Sequence, residues 1–259
     1  MTNLPLSGCR VLVTRPVTQA DSLCDAIEAA GGRAVRFPVI RIEPRPADDI
    51  AGDLAALPPP DVVIFVSRNA VENGASHFGT FTGDIAAIGR TTADSLAENG
   101  LEVSIDPGQG YTSEQLLAHD SLQDLSGRSV LIVRGAEGRP LLGESLAARG
   151  ASVHYLQVYT RKPEDVAPAD VSQLDQQWRS DGIDVVSVMS VATFEALVGV
   201  LPATSLVFLR KTPLVAPGER VIQTIGKLVP GIPVIQASGP RPEDIVSALV
   251  EWRHSGMKQ

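Results

Sequence analysis

Only two cysteines, Cys9 and Cys24, occur in 259 residues. Two thiols make no disulfide framework, and a reducing compartment, the cytoplasm, is the expectation. Histidine is nearly as scarce. His77, His119, His154 and His254 lie far apart with no ligand spacing, so no metal site is expected. Aromatic residues make up 4 % of the chain, which leaves a core of Val, Ile, Leu and Ala. Positive charge is in deficit: 22 Lys and Arg against 30 Asp and Glu give a net charge of −8. That balance argues against a nucleic-acid binder and against a partner for anionic membranes. No apolar run reaches the ~18–20 residues that cross a bilayer. The opening MTNLPLSGCR lacks the charged and apolar regions of a secretory signal.

What the chain does have is alternation. Strand-like runs at 10–14, 62–66, 85–88, 102–105, 129–133, 184–189, 213–216 and 232–236 alternate with helix-like runs at 18–31, 69–75, 91–99, 112–118, 139–149, 190–200, 219–227 and 242–253. Such alternation predicts parallel sheets covered by helices. Many of the strands are unbroken apolar runs, so both sheet faces are expected to be covered.

The pattern also repeats. LSGCRVLVTRP begins at Leu6 and LSGRSVLIVRG at Leu125, 119 residues later. At the same spacing Arg15 matches Arg134, Gly31 matches Gly150, Val39 matches Val158 and Pro44 matches Pro163. Further on the offset drifts: Asp61 matches Asp184, and Gly89 matches Gly218. A repeat of this length is domain-sized, which predicts two similar α/β domains. Proline-rich stretches at 41–49, 57–61 and 160–170 read as linkers. Just before two of them, RFPVIRIEP and YLQVYTRKP hold equivalent places and alternate apolar with polar residues. That alternation suits a half-exposed antiparallel pair, a two-stranded connection between domains.

In open parallel sheets, ligands bind beyond the carboxyl ends of the strands. Here those ends carry Thr14-Arg15, Ser67-Arg68-Asn69, Gly89-Arg90-Thr91-Thr92, Arg134-Gly135 and Ser190. Each precedes or opens an expected helix. Hydroxyl and amide side chains there cap helices, and helix N-termini favour anions. Any one such residue is explained by capping alone. Their recurrence in both copies, with arginines, points to an anion-binding surface. Thr112 or Ser113 reads as a helix cap in GQGYTSE, since no dinucleotide spacing follows. Tyr159 stands where the other copy has Ile40.

VLVTRP, DVVIFVSRNAV, AIGRTTADSL, YTSEQLL, VLIVRGAEGRPLL and VYTRKP, in that order, resemble uroporphyrinogen-III synthases along nearly the whole chain. The resemblance implies two flavodoxin-like domains with parallel sheets, joined by a two-stranded antiparallel linker. It implies boundaries of 1–37 with 164–259 for one domain, 45–154 for the other, and 38–44 with 155–163 for the linker. The implied reaction turns linear hydroxymethylbilane into uroporphyrinogen III, with inversion of the last pyrrole and loss of water, and with no cofactor. The implied substrate carries eight carboxylates. Transient contact with the preceding pathway enzyme is a further implied partnership. By position, Tyr159 resembles the family tyrosine that assists departure of the hydroxyl group. Thr92, Ser67 with Asn69, and Ser190 match positions near the family's cleft. Arg15, Gly89, Thr91, Arg134 and Gly218 complete the expected substrate-binding set. Near Gly218 the family's usual threonine is absent, and Arg220 and Val221 stand there instead. Two other classes fit a two-domain α/β pair: a cytoplasmic small-anion-binding or regulatory protein without catalysis, and a nucleotide-using enzyme.

Overall fold

The computed structural model describes residues 4–106, 108, 112–138, 140–180 and 182–256. The chain divides into two compact units, Met1–Arg41 with Lys162–Gln259 and Ile42–Arg161. The first unit opens with β1 (Arg10–Val13), α1 (Val17–Ala29) and β2 (Arg33–Arg36). The chain continues through β3 (Ile40–Pro44), α2 (Ala47–Ala56), β4 (Val62–Phe65), α3 (Arg68–Gly74), β5 (Asp84–Ala87) and α4 (Arg90–Glu98). Then come α5 (Ser113–Leu117), β6 (Ser129–Gly135), α6 (Leu141–Ala148) and β7 (Ser152–Pro163). Back in the first unit lie α7 (Pro168–Ser180), β8 (Val185–Ser187), α8 (Val191–Val200) and α9 (Ala203–Leu209). The last elements are β9 (Leu214–Pro217), α10 (Glu219–Leu228), β10 (Val234–Ala237) and α11 (Pro242–Gly256).

One sheet has the order β10-β9-β8-β1-β2 and the other β3-β7-β6-β4-β5. All pairings in the first sheet are parallel, as are those from β7 to β5 in the second. The apolar runs explain this. Every residue of β4 is buried, and alternate residues serve opposite faces. Val63 and Phe65 join one core cluster, Val62 and Ile64 another. In the first sheet Leu12 and Val186 pack on one side, Val11, Val13 and Val185 on the other.

The sequence repeat has a physical counterpart. The Asp61 carboxylate accepts the Ser129 N–H at 2.7 Å, and the Asp184 carboxylate accepts the Arg10 N–H at 2.7 Å. These are matching residues of the two copies. Each ties the strand after a crossover to the start of its sheet neighbour. Gly31 and Gly150 match too, at φ +88° and +89°. Each lies just past a helix in the left-handed region that favours glycine.

Several expectations need correction. Residues 102–105 form no strand; only an isolated bridge joins Ile105 to Ala86. Two of the stretches read as linkers, 41–49 and 160–170, contain helix starts. Pro46 caps α2, whose first turn holds Asp48 and Asp49. Pro168 is the first residue of α7, with Asp170 in the same turn. Proline fits the first turn, where its missing N–H has no partner to lose, and the carboxylates favour the dipole. The short strand β2 and helix α9 were not anticipated; RAVR hides an edge strand between charged ends. Among the described residues no helix is long and apolar enough to cross a membrane.

Candidate active site

The carboxyl ends of β4, β5, β6 and β7 converge within the second unit on a cavity of about 220 Å³. Its lining includes Ser67, Ile88, Ser113, Arg134, Tyr155, Tyr159 and Arg161. Ser67 caps α3: its Oγ accepts the Ala70 N–H at 3.1 Å. The same oxygen lies 3.3 Å from the Tyr159 hydroxyl. Arg161 donates from Nη2 to that hydroxyl at 3.2 Å, and its guanidinium lies 5.7 Å from the ring centroid.

Tyr159 owes its place to a bulge. Residues 129–134 pair with 152–157 in step, but Gly135 pairs with Tyr159, so Val158 is an extra residue in β7. A bulge of this kind re-aims the side chain that follows it. Here Val158 and Tyr159 are both buried, with the phenol 3 % exposed. Glycines clear the space around the site. A Cβ on Gly135 would meet Tyr159 Cζ at 2.7 Å. One on Gly138 would meet Arg134 Nη2 at 2.5 Å, and one on Gly143 would overlap the Tyr155 hydroxyl. Arg134 stacks on the Tyr155 ring with its Cζ 5.3 Å from the centroid. Among the described residues two arginines and one glutamate, Glu137, line the cavity, which favours an anionic guest locally despite the net charge.

Of the residues expected from sequence, the cavity gathers Ser67, Arg134 and Tyr159. Asn69 is buried inside α3, its carbonyl accepting from Asn73 Nδ2 at 2.7 Å. Gly89 caps α4, with Thr91 and Thr92 in the first turn. Thr92 is buried, and the Thr91 hydroxyl is buried with no hydrogen-bond partner among the described residues. These four do not line the cavity; Ile88 reaches it from the end of β5.

The other three expected residues lie in the first unit. Arg15 donates from Nη2 to Pro240 O at 2.5 Å and contacts Met189 Sδ at 3.1 Å. Ser190 caps α8, its Oγ accepting the Thr193 N–H at 3.2 Å and lying 2.9 Å from the Thr193 hydroxyl. Gly218 precedes α10 at φ 74°. Thr112 makes a capping box with Gln115 at the start of α5; the Gln109–Tyr111 part of GQGYTSE lies outside the described residues. Arg161, Tyr155, Gly138 and Gly143 were missed, and Gly135 was named only as a strand end. Spacing of two from Tyr159 along a strand could have flagged Arg161, since such residues share a face.

Burial pushes the Cys9 and Cys24 thiols up, and both sit in the core of the first unit. Neither is suited to nucleophilic work. Among the described residues no group of His, Cys, Asp and Glu could hold a metal ion.

Parallel α/β sheets whose polar strand ends meet a cavity define a class of small-molecule enzymes and binders. The family model described as uroporphyrinogen-III synthase HemD matches residues 21–247. The uroporphyrinogen-III synthase of Escherichia coli is 31 % identical over 199 residues, covering 74 % of this chain and 80 % of that protein. That of Salmonella typhimurium is 32 % identical over 200 residues, with the same shares covered. The chain belongs to the uroporphyrinogen-III synthase family, lyases of tetrapyrrole biosynthesis. The fold agrees. A mutant uroporphyrinogen III synthase from Thermus thermophilus superposes with a TM-score of 0.64 at 19 % identity, covering 97 % of this chain and all of that one. Uroporphyrinogen-III synthetase from Helicobacter pylori gives 0.59 at 14 % identity, covering 94 % and 99 %.

Proposed function

We propose that this chain closes linear hydroxymethylbilane to uroporphyrinogen III, inverting the last pyrrole and releasing water. Family membership supports the reaction and weighs against a non-catalytic anion binder. The observation that carries the site is the Tyr159 hydroxyl, buried at a cavity mouthed by Ser67, Arg134 and Arg161.

The C–O bond of the terminal hydroxymethyl group breaks as pyrrole nitrogen pushes electrons toward it. Tyr159 donates a hydrogen bond to the departing oxygen, which leaves as water with the proton that the pyrrole N–H gives up as the neutral azafulvene forms. The azafulvene carbon is then attacked by the substituted carbon of the last ring. A spiro intermediate forms, reopens and recloses in the inverted sense, and the ring proton is lost. Holding the chain for that attack is the main catalytic task. Arg134 meets substrate carboxylates, with Ser67, Asn69, Gly89, Thr91 and Thr92 as further donors of the second unit. Arg15, Ser190 and Gly218 are the expected substrate contacts of the first unit.

The domains are flavodoxin-like, with boundaries at 1–37 plus 164–259 and 45–154, and a two-stranded antiparallel linker of 38–44 and 155–163. Strand order supports the first point: β2-β1-β8-β9-β10 is the 2-1-3-4-5 order of that fold. Two backbone bonds support the second. Arg45 N–H reaches Val158 O at 3.0 Å, and Glu164 N–H reaches Val39 O at 2.9 Å. One partner number rises as the other falls, and the two bonds are images under the repeat. A cytoplasmic setting and transient contact with the preceding pathway enzyme belong to the same reading.

The test is direct. Purified protein, without added metal or cofactor, is mixed with freshly generated hydroxymethylbilane and the product isomers are separated. Type III is expected with protein and type I, the spontaneous product, without it. An isomer ratio that protein leaves unchanged rejects the reading.

A further inference from the structure

We infer that Arg161 is a positioning residue: with Ser67 it occupies the phenol oxygen of Tyr159, so that the phenolic proton is presented outward to the departing oxygen. This rests on the role of Tyr159 proposed above.

A count of donors leads to it. A phenol has one proton to give and two lone pairs to fill. Arginine only donates, so the 3.2 Å contact from Arg161 fills one lone pair. The Ser67 oxygen already accepts the Ala70 N–H. Its own proton is therefore available for the second lone pair of Tyr159, 3.3 Å away. The reverse arrangement, with the phenol donating to Ser67, needs only a turn of two hydroxyl rotors and no heavy-atom movement. Arg161 fills one lone pair in either arrangement, and its charge strengthens the phenol as a donor in both. Hydrogen bonds in a chain polarise one another, so an oxygen that accepts from a cation donates better through its own O–H. When an acceptor arrives, the phenol turns its proton to it and Ser67 takes up the lone pair left behind.

The placement of Arg161 is specific. It follows Tyr159 by two on one strand, beyond the bulge at Val158, so both side chains share a face. Its guanidinium lies at the hydroxyl end of the ring rather than on a carboxylate. Among the described residues it makes no salt bridge. A surface arginine without an acidic partner that donates to a buried neutral hydroxyl is serving the hydroxyl.

The rival role for Arg161 is direct binding of a substrate carboxylate, and a double-variant cycle separates the two. Arg161→Met keeps the stem and removes the donors. It is expected to lower kcat about 2- to 10-fold, the span of one hydrogen bond, with KM unchanged. Arg161→Lys, which restores a donor, should recover most of that loss. Tyr159→Phe alone should lower kcat about 10- to 100-fold, less than the usual span of general acid catalysis because the pyrrole nitrogen already expels the leaving group. In the Tyr159→Phe background Arg161→Met should then cost nothing more. Losses that multiply in the double variant, or an effect confined to KM, overturn the inference and leave the role of Tyr159 standing. A Tyr159→Phe enzyme with wild-type kcat overturns both.

Discussion

The two copies of the repeat place the same residues at the same strand ends and use them differently. Ser67 and Ser190 are equivalents, and each caps the following helix with its hydroxyl. Ser190 spends its remaining capacity on Thr193 of its own helix. Ser67 reaches across to Tyr159, in the position that Ile40 holds in the other copy. Arg15 is tied to Pro240 and Met189, whereas its equivalent Arg134 stacks on Tyr155 and lines the cavity. The pairing of β1 with β2 ends in step at Val13 and Arg36. The matching pair β6 and β7 runs on through a bulge to Gly135 and Tyr159. A duplicated frame thus supplies polar strand ends twice. One bulge, one tyrosine and three glycines turn one set toward a cavity, while contacts within the first unit absorb much of the other.

The largest effect should come from closing the space that makes this difference. A Cβ on Gly135 would lie 2.7 Å from Cζ and 2.8 Å from Cε2 of Tyr159. The ring is buried in the core cluster of the second unit and cannot swing into solvent. Gly135→Ala is expected to destabilise the protein by about 1–3 kcal/mol, as overpacking does. Turnover should fall at least as far as in Tyr159→Phe, about 10- to 100-fold. Urea denaturation and steady-state rates measure the two quantities. Wild-type stability with wild-type turnover would mean that the ring is not confined by Gly135, and the contrast between the copies would lose its basis.

Much of this architecture is legible in the residues themselves. Runs such as VVIF have no polar position, so they fit only a strand covered on both faces. The repeat is visible because the residues that tie strand to strand, Asp61 and Asp184, stand at matching places. Helices α2 and α7 were obscured because proline reads equally as a linker and as a helix start. Strand β2 was obscured because an edge strand need not be apolar. Tyr159 stood out against Ile40. Its surroundings did not, because a glycine at 135, 138 or 143 reads as a turn until the ring or guanidinium above it is placed. The extra residue of a bulge leaves no mark in the chain. Arg161 looks like any surface cation until the hydroxyl beside it is known.

A smaller effect separates the equivalent serines. Ser67→Ala and Ser190→Ala each remove an N-cap, which typically costs about 0.5–2 kcal/mol. The two variants should lose comparable stability in thermal or urea unfolding. Only Ser67→Ala also loses a neighbour of Tyr159, so it should show a further fall in kcat of about 2- to 10-fold, the span of one hydrogen bond. A Ser67→Ala enzyme with wild-type kcat would place the Ser67–Tyr159 contact outside the reaction.

The smallest effect concerns acid stability and belongs to the first unit alone. Asp175 on α7 accepts from the Ser205 hydroxyl at 2.6 Å and the Thr204 hydroxyl at 3.0 Å, both on α9, and from Arg179 Nε at 2.8 Å. The Ser205 hydrogen bond, with lesser help from Arg179 and Thr204, holds its carboxyl below the ordinary value. A group depressed in the folded state stabilises the fold above its unfolded pKa and stops doing so as pH falls through the folded one. The contribution is therefore complete at neutral pH, begins to fade near the ordinary aspartate value of about 3.9, and is gone below the lowered one. Asp175→Asn cannot lose a proton over that range. It should be slightly less stable than wild type at pH 7, with the gap narrowing as the medium is acidified toward pH 3. Urea midpoints of both proteins across that range measure it. The tyrosine cluster lies on other elements, so turnover at neutral pH should be unchanged. A stability gap that stays constant with pH would show that packing between α7 and α9, rather than the charge on Asp175, sets the difference. Lost turnover at neutral pH would show that the first unit bears on the reaction through α7.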